Sequence, residues 1–177
     1  NDNNTQLTRT NGSDAEVQGI TLEARLNYNY KIEGEVGLTW QKSAHEEPVS
    51  WSAEVPGSTS FMRTPDVYGY FALGITPLKN TKLSFSGVYT GQMDVPHFAG
   101  APGVENDELV KTSEFMELNL KIDYQLPVWK NLIMTTLGAG VQNLTNAFQS
   151  DFDTGPSRDS NYMYGPGRPR TFFVTLK

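Results

Sequence analysis

From Ile20 to Tyr30 the side chains alternate: Ile20, Leu22, Ala24, Leu26, Tyr28 and Tyr30 are interleaved with Thr21, Glu23, Arg25, Asn27 and Asn29. Successive side chains on a strand point to opposite faces, so this stretch predicts one apolar face and one polar, partly charged face; a helix cannot use the pattern. The same grammar returns at Phe115 to Leu126, where Met116, Leu118, Leu120, Ile122, Tyr124 and Leu126 alternate with Glu117, Asn119, Lys121, Asp123 and Gln125. Both runs are longer than the usual strand of about five or six residues. Weaker alternation marks Gly34 to Lys42, Val67 to Thr76, Lys82 to Gln92, Leu132 to Gln142 and Arg170 to Lys177. The prediction is an all-β chain of about seven long strands in an antiparallel up-and-down meander, with no helical segment required.

The connections fall into two kinds. Tight turns are expected at Lys31 to Gly34, Pro77 to Thr81 and Pro127 to Asn131, and long loops at Ser43 to Thr64, Asp94 to Val110 and Asn143 to Pro169. Consecutive connections of a meander lie at opposite ends, so every tight turn belongs to one end of the sheet and every long loop to the other. Charge follows the same division, because the loops carry -2, -4 and -1, against -6 for the whole chain. Each tight turn has a lysine (Lys31, Lys79, Lys130), with Tyr30 and Trp129 beside two of them. Trp40, Tyr68, Tyr70, Tyr89 and Phe115 stand near strand ends on the loop side. Amphipathic rings at both ends of long strands suit a membrane interface.

Composition removes several classes. The 177 residues include no cysteine, so disulfides, thiolate metal clusters and a cysteine nucleophile are out, and His45 and His97 have no ligand spacing around them. With 14 basic against 20 acidic residues and no basic cluster, nucleic acid is not an expected partner. The apolar runs are too short for a membrane-crossing helix, and the polar start at Asn1 reads as cut rather than as a secretion signal. No catalytic constellation is visible, so no enzyme and no resident cofactor are expected.

Alternation defines two faces without saying which one meets water. A soluble ligand-binding barrel holds its apolar face inside; a transmembrane barrel turns it to lipid and lines a wet lumen with the polar face. Strand length, the asymmetry of turns and loops, and the end-placed rings favour the membrane. Seven is odd, whereas bacterial single-chain barrels have even counts, so the expectation is a partial barrel domain whose other strands lie before Asn1.

Specific motifs sharpen this. The stretch from Gly140, GVQNLTNAFQSDFDTGPSRDSNYMYGPGRPRTFFVTLK, resembles the carboxyl end of the TonB-dependent outer-membrane receptors. Asn143, Leu144, Thr145 and Asn146 match the family's segment after the penultimate strand, and Pro169, Arg170, Thr171 and Phe172 match the opening of its last strand. Ala15 to Glu23 is similar to a family strand start, and Pro65 to Gly91 to its strand, turn and strand repeat. The resemblance implies the C-terminal part of a large transmembrane barrel of about 22 strands in the bacterial outer membrane. It implies an active importer of an iron complex such as a siderophore or haem, or of cobalamin, with tight turns to the periplasm and acidic loops outside. Its partners would be outer-membrane lipid, the small-molecule substrate, an N-terminal plug absent from this chain, and the inner-membrane energy-coupling complex. The chain departs from the family by stopping at Leu176 and Lys177 rather than at an aromatic residue, which reads as truncation. An oligosaccharide importer of the same superfamily, a soluble small-ligand barrel and a small envelope structural or adhesion barrel are the alternatives.

The candidate binding residues are in the loops and lumen. Ser43 to Thr64 holds His45, Trp51, Phe61 and Arg63, a set able to stack on a flat ligand and pair with its charges; Trp51 leads, against a local cluster that covers the loop's own backbone. His97 can ligate haem iron, though a lone loop histidine is more often polar surface. Arg25 shares a face with Glu23 and can meet a solute or the plug, but such charges chiefly form mutual ion pairs. The acidic run Glu105 to Glu108 can gather calcium and is read first as a solvated loop tip. Gly165 to Arg170 is no phosphate cradle, since its prolines lack amide donors; it is a rigid lead-in to the last strand.

Overall fold

The computed structural model describes residues 12–128 and 133–177. The strands are β1 (Ala15–Tyr28), β2 (Ile32–Val49), β3 (Ser58–Ser60), β4 (Val67–Leu78), β5 (Thr81–Thr90), β6 (Asp94–His97), β7 (Glu108–Lys111), β8 (Phe115–Val128), β9 (Ile133–Gln142) and β10 (Thr171–Leu176), with no helix among the described residues. The main sheet runs β1-β2-β4-β5-β8-β9-β10, every pair antiparallel, so seven strands form a meander. β3 adds to β2, and β6 pairs with β7 in a separate hairpin. Among the described residues the sheet is open, with β1 paired to β2 alone and β10 to β9 alone.

The register carries the alternation across the whole sheet. Leu22 lies opposite Leu38, Val36 opposite Phe71, Leu73 opposite Phe85, Phe85 opposite Leu120, Leu120 opposite Val141 and Val141 opposite Phe172. Directly opposed residues share a face, so one face is apolar from β1 to β10. The other carries Glu23, Arg25, Glu35, Lys82, Glu117, Asn119, Lys121 and Asp123. Among the described residues no layer covers the apolar face, where Leu22, Leu38, Leu120, Ile122 and Val174 all stand exposed. Close fit within the sheet is supplied locally. A Cβ on Gly87 would overlap the Phe71 ring and Leu118, so glycine is what lets that ring lie flat across the neighbouring strand.

Several boundaries differ from the sequence reading. The first turn is Asn29 to Lys31 rather than Lys31 to Gly34: Asn29 and Tyr30 have φ of 50° and 54°, and the Lys31 N–H donates to the Tyr28 carbonyl at 3.0 Å. Two successive left-handed residues make the mirrored turn that matches strand twist, and asparagine tolerates that region. Strand β2 continues to Val49 because Lys42 to His45 keep pairing with Ala15 to Gln18 and Val49 pairs with Ser58 of β3, so His45 is a strand residue and not a loop residue. The second turn sits between Leu78 and Thr81, as expected, with Asn80 at φ 69°. Trp129 and Lys130 of the third turn lie outside the described residues.

The end-placed rings also divide. Trp40 lies opposite Ile20, and Tyr89 opposite Met116, so these two belong to the apolar face. Tyr68 opposite Thr39, Tyr70 opposite Gly37 and Phe115 opposite Thr90 belong to the polar face. Buried apolar side chains are few: Val95, Ala101, Phe115, Val141 and Tyr162. Most belong to the long loops or to strand ends beside them. The packed centre therefore sits at the loop end of the sheet.

Candidate functional site

Three long connections meet at that end. Arg63, held at φ 59°, donates from Nη1 to the Met163 carbonyl at 2.9 Å and from Nη2 to the Asn161 carbonyl, while its N–H donates to the Asp94 carbonyl at 2.8 Å. One residue thereby ties all three loops. Ser52 donates to the Asp107 carboxylate, whose other oxygen accepts the Ala99 N–H at 2.7 Å. Those bonds hold the Asp107 carboxyl below its ordinary value, so this part of the acidic run is a clasp between loops rather than a free tip.

His97 is 7% exposed, not surface, and lies between Asp153 (Nε2 to Oδ2, 3.0 Å) and Glu108 (Nδ1 to Oε1, 3.7 Å). Its ring stacks on Tyr162 with centroids 3.7 Å apart and planes 7° from parallel. Burial works against ionising Asp153, but the Asp159 N–H and the His97 ring outweigh it and leave its pKa lowered. Asp151 follows the same logic, its burial outweighed by hydroxyls of Tyr164 (2.6 Å) and Tyr162 (2.8 Å). Tyr162 is pushed up to about 12 by burial and by the Asp151 carboxylate it serves, and Tyr164 is raised for the same reasons. A carboxylate and two neutral phenols at this spacing form a rigid brace.

Asn143 anchors the last loop to the sheet. At φ 50° and 1% exposed, it donates from Nδ2 to the carbonyls of Ala147 (2.9 Å) and Arg168 (2.8 Å), and its Oδ1 accepts the Ala147 N–H at 2.8 Å. Its own N–H donates to Asn119 Oδ1 at 2.9 Å. Both ends of the loop are thus held by one side chain. Phe115 is buried on the polar face beneath Tyr164, and a Cβ on Gly165 (φ 88°) would strike its ring. The loop consequently leans over the polar face of the sheet.

Within this loop lies a cavity of about 640 Å³. Phe148, Phe152 and Met163 border it, each more than half exposed. Tyr162, Tyr164, Asp153, Asp159, Arg158 and Arg168 form part of its lining. Asp153 and Asp159 already accept protein donors: Asp159 takes the Phe98 and Asn161 N–H groups at 3.1 and 2.8 Å. Among the described residues neither arginine has a carboxylate within salt-bridge distance.

None of the candidate binding residues, His45, Trp51, Phe61, Arg63, His97 and Arg25, lines this cavity, whereas Asn146 and the lead-in residues Pro166 to Pro169 do. His97 backs it through Asp153 and Tyr162, and Arg63 through the Asn161 and Met163 carbonyls. Trp51 meets Phe98 edge to face at 6.0 Å, with its Nε1 buried and without a hydrogen-bond partner among the described residues. His45 stacks on Phe61 at 4.2 Å. Arg25 pairs with Glu35 at 3.7 Å on the exposed polar face, a contact worth at most about 1 kcal/mol. The lining residues escaped sequence reading because Phe148 to Pro169 has no period; the signal present was its density of rings, glycines and prolines.

No protein-family model, curated protein or solved structure matches the chain.

Proposed function

We propose that the chain is part of an active outer-membrane importer of the TonB-dependent kind, carrying an iron complex such as a siderophore or haem, or cobalamin. The observation that supports this is the apolar face continuous over seven strands, set against a charged face over which the loops fold. From Ile20 to Tyr28 the apolar face of β1 spans about 26 Å along the strand, or about 20 Å across a bilayer at a tilt near 40°, close to the apolar band of outer-membrane barrels. In such a wall the polar face lines the lumen, and loops leaning over that face narrow the mouth from outside. In a soluble barrel the same loop would lie against the outer wall, and rings such as Trp40 and Phe172 would have to fit inside.

The open edges agree with this reading. A 14-residue edge such as β1 is a pairing hazard in water, and further strands of a closed barrel remove it. This chain's share of transport is then the lipid-facing wall, the lumen charges and the loop cap, while coupling belongs to the plug and the inner-membrane complex. An oligosaccharide importer of the same superfamily is the second reading, favoured by the Phe148 and Phe152 rings beside the cavity.

Fractionating cell envelopes with an antibody against this segment tests the proposal. A band several-fold heavier than 19.7 kDa in the outer membrane supports it. A soluble band near 19.7 kDa ends it and makes the apolar face a ligand-binding interior.

A further inference from the structure

We infer that the cavity in the last long loop is a binding site for a compact organic anion with an aromatic or apolar body, the body lying against Phe148, Phe152 and Met163 and the anionic group meeting Arg158 and Arg168. As a statement about cargo this rests on the importer reading; as a statement about binding it does not.

Three observations converge. The volume, about 640 Å³, is in the range that takes a small organic molecule rather than an ion or a chain. Phe148, Phe152 and Met163 are large apolar side chains left more than half exposed in a loop that buries Tyr162 almost completely, so apolar surface beside the cavity lacks a partner. Formal charges around the cavity balance, but their engagement does not. Asp153 is met by His97 and the Asp159 N–H, and Asp159 by the N–H groups of Phe98 and Asn161. Arg158 donates only to the Gly155 carbonyl at 3.2 Å, and the Arg168 side chain has no protein acceptor among the described residues. A guanidinium offers five donors in a planar fork suited to a carboxylate, sulfonate or phosphate. The two lining arginines are thus cations without a counter-ion among the described residues, which favours an anionic ligand, and the exposed rings beside them favour an apolar body.

The brace beneath keeps the site preformed. Tyr162 and Tyr164 share the Asp151 carboxylate, Gln149 Oε1 accepts the Tyr164 N–H at 2.9 Å, and Asn143 holds the Arg168 carbonyl. A preformed wall reduces the ordering cost of binding a small ligand.

The test is calorimetric titration of the full-length natural protein, purified from whichever cell fraction holds it, with 2-naphthoate and with 2-naphthamide. These probes share a ring system and differ in charge. Saturable binding of naphthoate at least about tenfold tighter than naphthamide is expected, since a guanidinium pair distinguishes an anion from a neutral amide by about that factor or more. Arg158→Gln with Arg168→Gln should weaken naphthoate at least about tenfold and erase the preference, while Lys82→Gln, which removes one charge at the turn end of the sheet, should leave both probes unchanged. Phe152→Ser should weaken both probes together. Equal binding of the two probes, an unchanged naphthoate affinity in the double arginine variant, or no saturable heat overturns the inference. Location separates the two readings: an outer-membrane protein that ignores naphthoate sinks the site alone, and a soluble protein with arginine-dependent binding sinks the importer alone.

Discussion

His97 donates from Nε2 to Asp153 Oδ2 across 3.0 Å while its ring lies flat on Tyr162, joining the β6–β7 hairpin to the last long loop. The pair is buried, with both side chains under a tenth exposed. His97→Ala leaves a buried carboxylate with one donor fewer, a loss of about 1–3 kcal/mol. That loss should loosen the loop cap and spare the sheet. Hydrogen exchange resolved by segment should show faster exchange at 94–111 and 143–169 in this variant, with β1, β2 and β4 unchanged; His97→Gln, which keeps a donor, should fall between.

Acid should act at the same place. Asp153 and Asp151 titrate below the ordinary carboxylate value, despite burial, because the donors around them favour the ionised form. A lowered native pKa contributes stability that is present above the unfolded value near 3.9 and is lost as pH falls through the lowered one. The cap should therefore hold at neutral pH and open progressively below about pH 4. Alkali is the mirror case. Tyr162, raised to about 12, contributes stability that is present below about 10 and is lost as pH rises toward 12. Protease nicking within 143–169, followed against pH, should rise at both ends.

The Asn143 side chain bonds both ends of the last loop, at Ala147 and at Arg168, while its backbone N–H donates to Asn119 of the sheet. Asn143→Gly keeps the left-handed backbone comfortable and removes only the side-chain bonds. A cost of about 2–3 kcal/mol is expected from its buried partners left unpaired, read as early release of the last loop in proteolysis. Asn143→Asp, which keeps Oδ1 but loses the two Nδ2 donations, should also destabilise.

On the sheet, Leu120→Arg should cost about 2–4 kcal/mol if the apolar face meets the bilayer midplane. Its control must be chosen from the structure. Asn119 faces the other way but accepts the Asn143 N–H, so it is not neutral; Gln125, exposed on the polar face, is. Gln125→Arg should be tolerated, and folding yields of the two variants in detergent measure the difference.

The meander was legible because a period of two survives along its seven strands; strict alternation in Phe115 to Leu126 located β8 closely, and that in Ile20 to Tyr30 located β1 but missed its opening residues from Ala15. Strands β3, β6 and β7 were not legible, since three or four residues such as Ser58–Ser60 or Asp94–His97 hold too little pattern to read. Face assignment of the rings needed register: Tyr68 and Tyr89 look alike in sequence and face opposite sides. The cavity escaped for a different reason. Its walls come from a loop whose shape is dictated by side-chain-to-backbone bonds of Asn143, Gln149 and Asp153, and no local periodicity encodes those.

The central claim is that the apolar face meets lipid and the charged face meets water. The absence of cysteine makes the measurement direct: single cysteines at Leu22, Leu38, Leu120 and Val174, and at Thr21, Thr39, Gln125 and Thr175, can each carry a spin label in the full-length protein reconstituted in bilayers. Collision with lipid-soluble oxygen and with a water-soluble nickel chelate then reports each site. The account predicts high oxygen and low nickel contact at the first four and the reverse at the second four. A reversed pattern, or no alternation between the two sets, contradicts it.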